Sequence, residues 1–198
     1  FRLSIFRFLV MLVGLAPSTL VASEYEDAQF FPDTTAQVIS EIIDFTILQR
    51  YDEAFERCEL LQNQLPAHPA GYFFELATLH SQMLDFEDYS ERKRFFELTR
   101  KVKRLCRDAL KKDPKNAWLY FFQGGALGYG AYYNGREQKY LTAFREGLES
   151  IKVLERALAI DSTNYDVYLG IGSYKYYRSQ YSKFVNWMPF VKDERQRG

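Results

Sequence analysis

The sequence predicts an all-α protein, an α-solenoid of antiparallel helix pairs with an extended 48-residue period. Three observations carry that expectation. Positions recur at a fixed interval: Leu61, Ala109 and Ala157 are 48 apart, as are Pro66, Pro114 and Ser162, and again Tyr72, Tyr120 and Tyr168. Around these anchors Leu65-Pro66-Ala67-His68, Asp113-Pro114-Lys115-Asn116 and Asp161-Ser162-Thr163-Asn164 align without gaps, each as a turn. Between turns apolar residues fall at intervals of three and four, and no segment alternates with the period of two that a half-buried strand needs. Helix pairs repeating in this way bury their apolar faces on the next pair.

Taken in order, residues 1–23 read as a secretory signal peptide: Arg2 and Arg7, the apolar run Phe8 to Ala16, then the small-residue site Val21-Ala22-Ser23. Pro17, Ser18 and Thr19 interrupt the run short of the roughly 20 residues that a spanning helix needs, and no cysteine stands near the cleavage site to carry a lipid. Residues 24–32 form a linker, and the helical repeat domain is expected over 33–180. Its first helix, 33–48, carries Val38, Ile42 and Phe45; the second, 51–64, opens on Tyr51-Asp52-Glu53-Ala54 and continues through Cys58 and Leu61. His68, Asn116 and Asn164 each close a turn and stand as N-caps for helices at 70–84, 117–133 and 165–180; Pro69 falls at the first helical position, where its missing N–H is not needed. Helices at 92–112 and 138–160 complete the pairs, the latter with Phe144, Gly147, Leu148, Ile151, Leu154 and Leu158 on one stripe. Loops lengthen at Asp85 to Arg94 and at Asn134 to Lys139. Residues 181–198 read as the start of a further, truncated repeat, with Asp193 as its N-cap and Glu194 in its first turn. Without a partner the 165–180 helix should expose Leu169 and Tyr176, so the natural chain is expected to continue with at least one more helix, and its initiator to precede Phe1.

The first unit, taken from Thr35, resembles a tetratricopeptide repeat. Val38, Ile42 and Phe45, then Tyr51-Asp52-Glu53-Ala54, Cys58, Leu61 and a terminal Pro66 match the roughly 34-residue pattern of that family. Later units keep part of it, in Gly124, in Ala157 with Asp161-Ser162, and in Ala109 with Asp113-Pro114. The resemblance covers about residues 33–180. The chain also looks like a group of exported bacterial repeat proteins of unassigned function, through Tyr165-Asp166-Val167-Tyr168-Leu169-Gly170 and Trp187-Met188-Pro189-Phe190. The tetratricopeptide resemblance implies a non-enzymatic scaffold whose first helices line a concave face.

Composition narrows the function further. In 198 residues the chain has 26 basic and 26 acidic side chains, 47% apolar and 17% aromatic residues, which fits a folded protein and gives no basic excess for nucleic acid. Cys58 and Cys106 hold equivalent repeat positions on successive helices. Neighbouring helices pack about 8 to 10 Å apart, beyond the roughly 7 Å limit for Cα atoms of a disulfide, so two buried thiols are expected. His68 and His80 have no second ligand at zinc spacing, and Glu53, Glu56 and Glu59 fall on an expected solvent face. No Gly-x-Ser-x-Gly, phosphate loop or dinucleotide fingerprint is present, so no enzymatic activity, metal or cofactor is expected. The charge-free run Ala117 to Gly135, diluted by five glycines, reads as a helix buried between neighbours rather than a membrane span, with Gly124 and Gly128 admitting an adjacent helix.

Two groups of residues are candidates for binding. Tyr129, Tyr132, Tyr133, Tyr174, Tyr176 and Tyr177 lie on two successive first helices; Tyr129, Tyr132, Tyr133, Tyr174 and Tyr177 are expected to line the concave groove, with core packing as the competing role. The second group follows from charge. Residues 24 to 64 hold ten acidic and two basic side chains, whereas 91 to 115 hold eleven basic and four acidic. The basic stretch, with Arg100, Lys101, Lys103, Arg104 and Arg107 at its centre, is either a solvated helix face or a contact for an anionic partner or lipid headgroups. The expected function is an extracytoplasmic, periplasmic or secreted scaffold that holds a protein or peptide partner; the alternative is a binder of a small amphiphile or glycan on the same aromatic face.

Overall fold

The structure, a computed structural model, describes the backbone of residues 33–185 and the side chains of residues 34–176. The expected signal peptide, the linker, Trp187 to Phe190 and the Asp193 cap lie outside these residues. Every regular element described is a helix: α1 Asp33–Ile47, α2 Tyr51–Gln64, α3 Ala70–Asp85, α4 Arg92–Leu110, α5 Ala117–Arg136, α6 Tyr140–Ile160 and α7 Tyr165–Val185. The bounds follow the spacing of apolar residues closely. Differences are confined to ends: α5 absorbs part of the second expected loop by running to Arg136, and α7 runs on to Val185.

The helix ends show how the sequence sets these bounds. Asn116 accepts from the Leu119 N–H at 3.1 Å and His68 Nδ1 accepts from the Ala70 N–H at 3.2 Å, so two of the three turn residues satisfy first-turn donors. Pro69 sits one position earlier than expected, as the residue before α3 begins. Asn164 departs from the pattern: it is buried, and its side-chain amide has no hydrogen-bond partner among the described residues, while its backbone oxygen accepts from Val167. At the other end of α1, Gln49 is left-handed at φ 59°, and Arg50 N–H reaches the Phe45 oxygen at 2.8 Å. The end of α5 repeats this closure, with Gln138 at φ 61° and Lys139 N–H on the Asn134 oxygen at 2.9 Å. Both turns read Gln, a cation, then a Tyr that opens the next helix.

The chain divides into two compact units at Lys101 and Val102, within α4. In the first, Ile42, Leu61, Leu76, Leu79, Met83 and Phe95 are fully buried side chains, and the Thr46 and Thr78 hydroxyls meet at 3.0 Å between α1 and α3. Asp85, at the end of α3, accepts from the Tyr51 hydroxyl at 2.5 Å and from Gln49 Nε2 at 2.7 Å, which ties down the α1–α2 turn. In the second unit Tyr120, Leu154, Ala157 and Val167 form a core cluster from α5, α6 and α7. There Gly124 matters because a Cβ at that position would lie 2.7 Å from Leu154, and Ser150 Oγ donates to the Gly124 oxygen at 2.7 Å. Helix α5, expected to be buried on every side, has buried residues all around it, from Leu119 and Phe122 to Ala126, Leu127 and Tyr133. No helix among the described residues is long and apolar enough to cross a membrane.

Candidate functional site

Of the five tyrosines expected in the groove, Tyr129 and Tyr132 are partly buried on α5. Tyr129 is half-buried, and loss of solvation around its hydroxyl pushes its pKa up to about 12. Tyr132, also half-buried, meets the Tyr133 ring edge-on at 5.1 Å; Arg136 lies over it at 6.0 Å and donates Nη1–H to its hydroxyl at 3.4 Å. Tyr133 is 2% exposed and belongs to the core, so its ring is not offered to a partner. Tyr174 is half-buried, its ring filling the space where Gly147 lacks a side chain, 2.6 Å from the position of a Cβ there. The Tyr177 side chain lies outside the described residues.

The basic stretch belongs to α4, whose other face buries Phe95, Leu98, Val102 and Cys106. Arg100, Arg104 and Arg107 are exposed at intervals of four and three, so they share one face. Lys101 and Lys103 do not join them. The Lys101 ammonium lies 3.7 Å from the Tyr72 ring centroid, a cation–π contact in the first unit, and Lys103 lies 3.7 Å from Glu146 in the second. Lys111 beside Asp108, with Arg107 and Arg104 adding to it, lowers that carboxyl, which interrupts the basic face.

The structure also shows a concavity not anticipated in the sequence. In the first unit an open cleft of about 500 Å3 is lined by Asp52, Phe55, Glu56 and Glu59, with Gln62, Glu75 and Arg94 completing it. Arg94 donates to Glu75 Oε1 from Nε at 3.1 Å and Nη2 at 2.6 Å, and its guanidinium lies 4.9 Å from the Phe55 centroid. Gln62 Nε2 donates to Glu75 Oε2 at 2.7 Å. Glu75 and Arg94 therefore neutralise each other, and Asp52, Glu56 and Glu59 leave the rim acidic. The signal was present as acidic residues at helical intervals on α2, but that spacing also describes an ordinary solvated face.

Burial governs the remaining reactive groups. Desolvation raises both the Cys58 and the Cys106 thiol to about 12, so both stay protonated at neutral pH, unpaired by any disulfide. Burial lowers His80 to about 3 and also lowers His68, which keeps the Nδ1 lone pair of His68 available to cap α3. Among the described residues no three His, Cys, Asp or Glu side chains converge as metal ligands. Compared with family models, curated proteins and solved structures, the chain matches none.

Proposed function

We propose that this chain is a non-enzymatic interaction scaffold of tetratricopeptide-like repeats. In this reading antiparallel helix pairs stack as an α-solenoid, and an exported protein holds a protein or peptide segment against its aromatic face. The observation that carries it is the pair Tyr129 and Tyr132, half-buried on a helix whose other sides are packed. Rings held in this way offer a partner large contact area with little rotamer freedom left to lose. The protonated thiols of Cys58 and Cys106 support a binding role over a nucleophilic one. The exposed Arg100, Arg104 and Arg107 support a peripheral contact with an anionic surface as a companion role, without nucleic acid.

The test is capture from periplasmic extract by the wild type and by Tyr129→Ala/Tyr132→Ala. A stoichiometric protein that the double variant retains at least tenfold less well, with helical content unchanged, supports the scaffold. A lipid or sugar that co-purifies in place of a protein supports the amphiphile or glycan reading. Equal capture by both forms would remove these rings from the site.

A further inference from the structure

The cleft of the first unit has a floor whose charges are satisfied and a rim whose charges are not. On the floor Glu75 uses both carboxylate oxygens, Oε1 on Arg94 at 2.6 Å and Oε2 on Gln62 at 2.7 Å, and the Gln62 amide also reaches the Gly71 oxygen at 3.3 Å. A Cβ on Gly71 would lie 2.8 Å from Gln62, so the glycine lets α3 approach closely enough for that amide to be held. The floor is neutral as a result. On the rim Asp52, Glu56 and Glu59 share one face of α2 at intervals of four and three, are exposed, and meet neither a cation nor a hydrogen-bond donor among the described residues. The same helix supplies the contrast: Glu53, which does not line the cleft, is held by Arg50 at 2.8 Å. Phe55 stands on the rim face among the three carboxylates, half-buried, and shows what the cleft can hold. The Arg94 guanidinium lies 4.9 Å from its ring centroid while Glu75 bonds it, so ring and carboxylate together already hold one guanidinium of this chain.

We infer that the rim of this cleft binds an extended, arginine-bearing segment of a protein partner. Charge complementarity selects a cation, since three carboxylates converge with no counter-charge of their own while Glu75 neutralises Arg94. The ring selects arginine over lysine, because a planar guanidinium stacks on an aromatic face and bonds a carboxylate through two N–H groups, as Arg94 does with Phe55 and Glu75. Spacing selects the extended form. Along the helix Asp52 and Glu56 are about 6 Å apart at roughly 1.5 Å per residue. Alternate residues of an extended chain are about 6.6 Å apart and point the same way, so an Arg-x-Arg sequence sets two guanidinium groups against two rim carboxylates on either side of Phe55. A single exposed ion pair contributes little, and it is the set of carboxylates around one ring that makes the rim a site. The cleft lies in the first unit and the α5 tyrosines in the second, so the inference goes beyond the reading of those tyrosines and can fail or stand without them.

The test is calorimetric titration of the full chain with a capped peptide containing Arg-Ser-Arg, beside the same peptide with citrulline in place of both arginines, at 0.15 M salt, where only close charges attract strongly. The arginine peptide should saturate one site and bind at least tenfold more tightly than the citrulline peptide. Glu56→Gln/Glu59→Gln, at exposed positions that leave the core untouched, should weaken it at least tenfold with helical content unchanged. Glu149→Gln/Glu155→Gln removes the same charge from exposed positions on α6 and should change it less than twofold. Phe55→Leu, which alters no charge, should weaken it at least threefold. Absence of saturable binding, equal losses in the two double variants, or equal binding of the arginine and citrulline peptides would overturn the assignment.

Discussion

His80 shows most directly how one residue's surroundings set a measurable property. It is 5% exposed on α3, its ring 6.3 Å from that of Phe95, and burial lowers its pKa from 6.5 to about 3. The unfolded chain therefore binds a proton between those values that the folded chain does not, and stability rises with pH across that window. The contribution is complete above pH 6.5 and is lost on acidification, by at most about 1.4 kcal/mol per pH unit. Urea melts at pH 7 and pH 5 should show the wild type losing up to about 2 kcal/mol more than His80→Leu. Parallel losses would mean that the imidazole is charged in the folded protein. The left-handed glutamines make a second prediction at this scale. Relieving φ 61° by Gln138→Gly should stabilise by roughly 0.5 to 1 kcal/mol in thermal melts. Gln49→Gly should gain less, because the Gln49 bond to Asp85 is lost with it. A gain as large at residue 49 would show that this exposed bond contributes nothing.

At the scale of the element, helix bounds were legible because apolar spacing, turn residues and caps agree at nearly every junction. The exposure of Leu169 and Tyr176 followed from the same pairing logic. Which tyrosine faces outward was not legible, and the reason is physical. Helix α5 is apolar all round, so spacing assigns no outward face, and Tyr132 and Tyr133 separate into surface and core only when the neighbours are in place. The acidic cleft was hidden for a similar reason: Glu75 and Arg94 come to Phe55 from other helices, and nothing local to α2 announces them. Gly124 and Gly172 are equivalent in sequence but opposite in environment, which gives a paired prediction. In dilute protein, Gly124→Ala should destabilise by about 1 to 3 kcal/mol, since its methyl would press on the buried Leu154. Gly172→Ala should stabilise by roughly 0.5 to 1 kcal/mol through lower backbone entropy in the unfolded chain. Thermal melts of the two variants check this; the same sign in both would mean that the helix contacts at Gly124 relax freely.

For the whole molecule, the distribution of charge matters more than its sum. The formal net charge is zero, so no long-range repulsion keeps copies apart, yet acidic residues crowd segment 24–64 and basic residues crowd segment 91–115. Within the fold some of these charges are spent on neighbours: Arg94 is bound to Glu75, Arg57 to Glu41 and Lys103 to Glu146. Others face outward, among them Arg100, Arg104 and Arg107 on α4 and Glu56 and Glu59 on the cleft rim. Oppositely charged surfaces on different copies should therefore attract at low ionic strength. The Debye length falls from about 30 Å at 0.01 M salt to about 8 Å at 0.15 M, which screens exposed charges. Light scattering should accordingly give a second virial coefficient that rises as salt is raised over that range. Changing Arg100, Arg104 and Arg107 together to Gln removes three cations from one face and should flatten the dependence. A coefficient that is insensitive to salt in the wild type, or a triple variant that behaves identically to it, would show that these surfaces do not meet between molecules. The basic face of α4 would then take no part in contacts between copies of the chain.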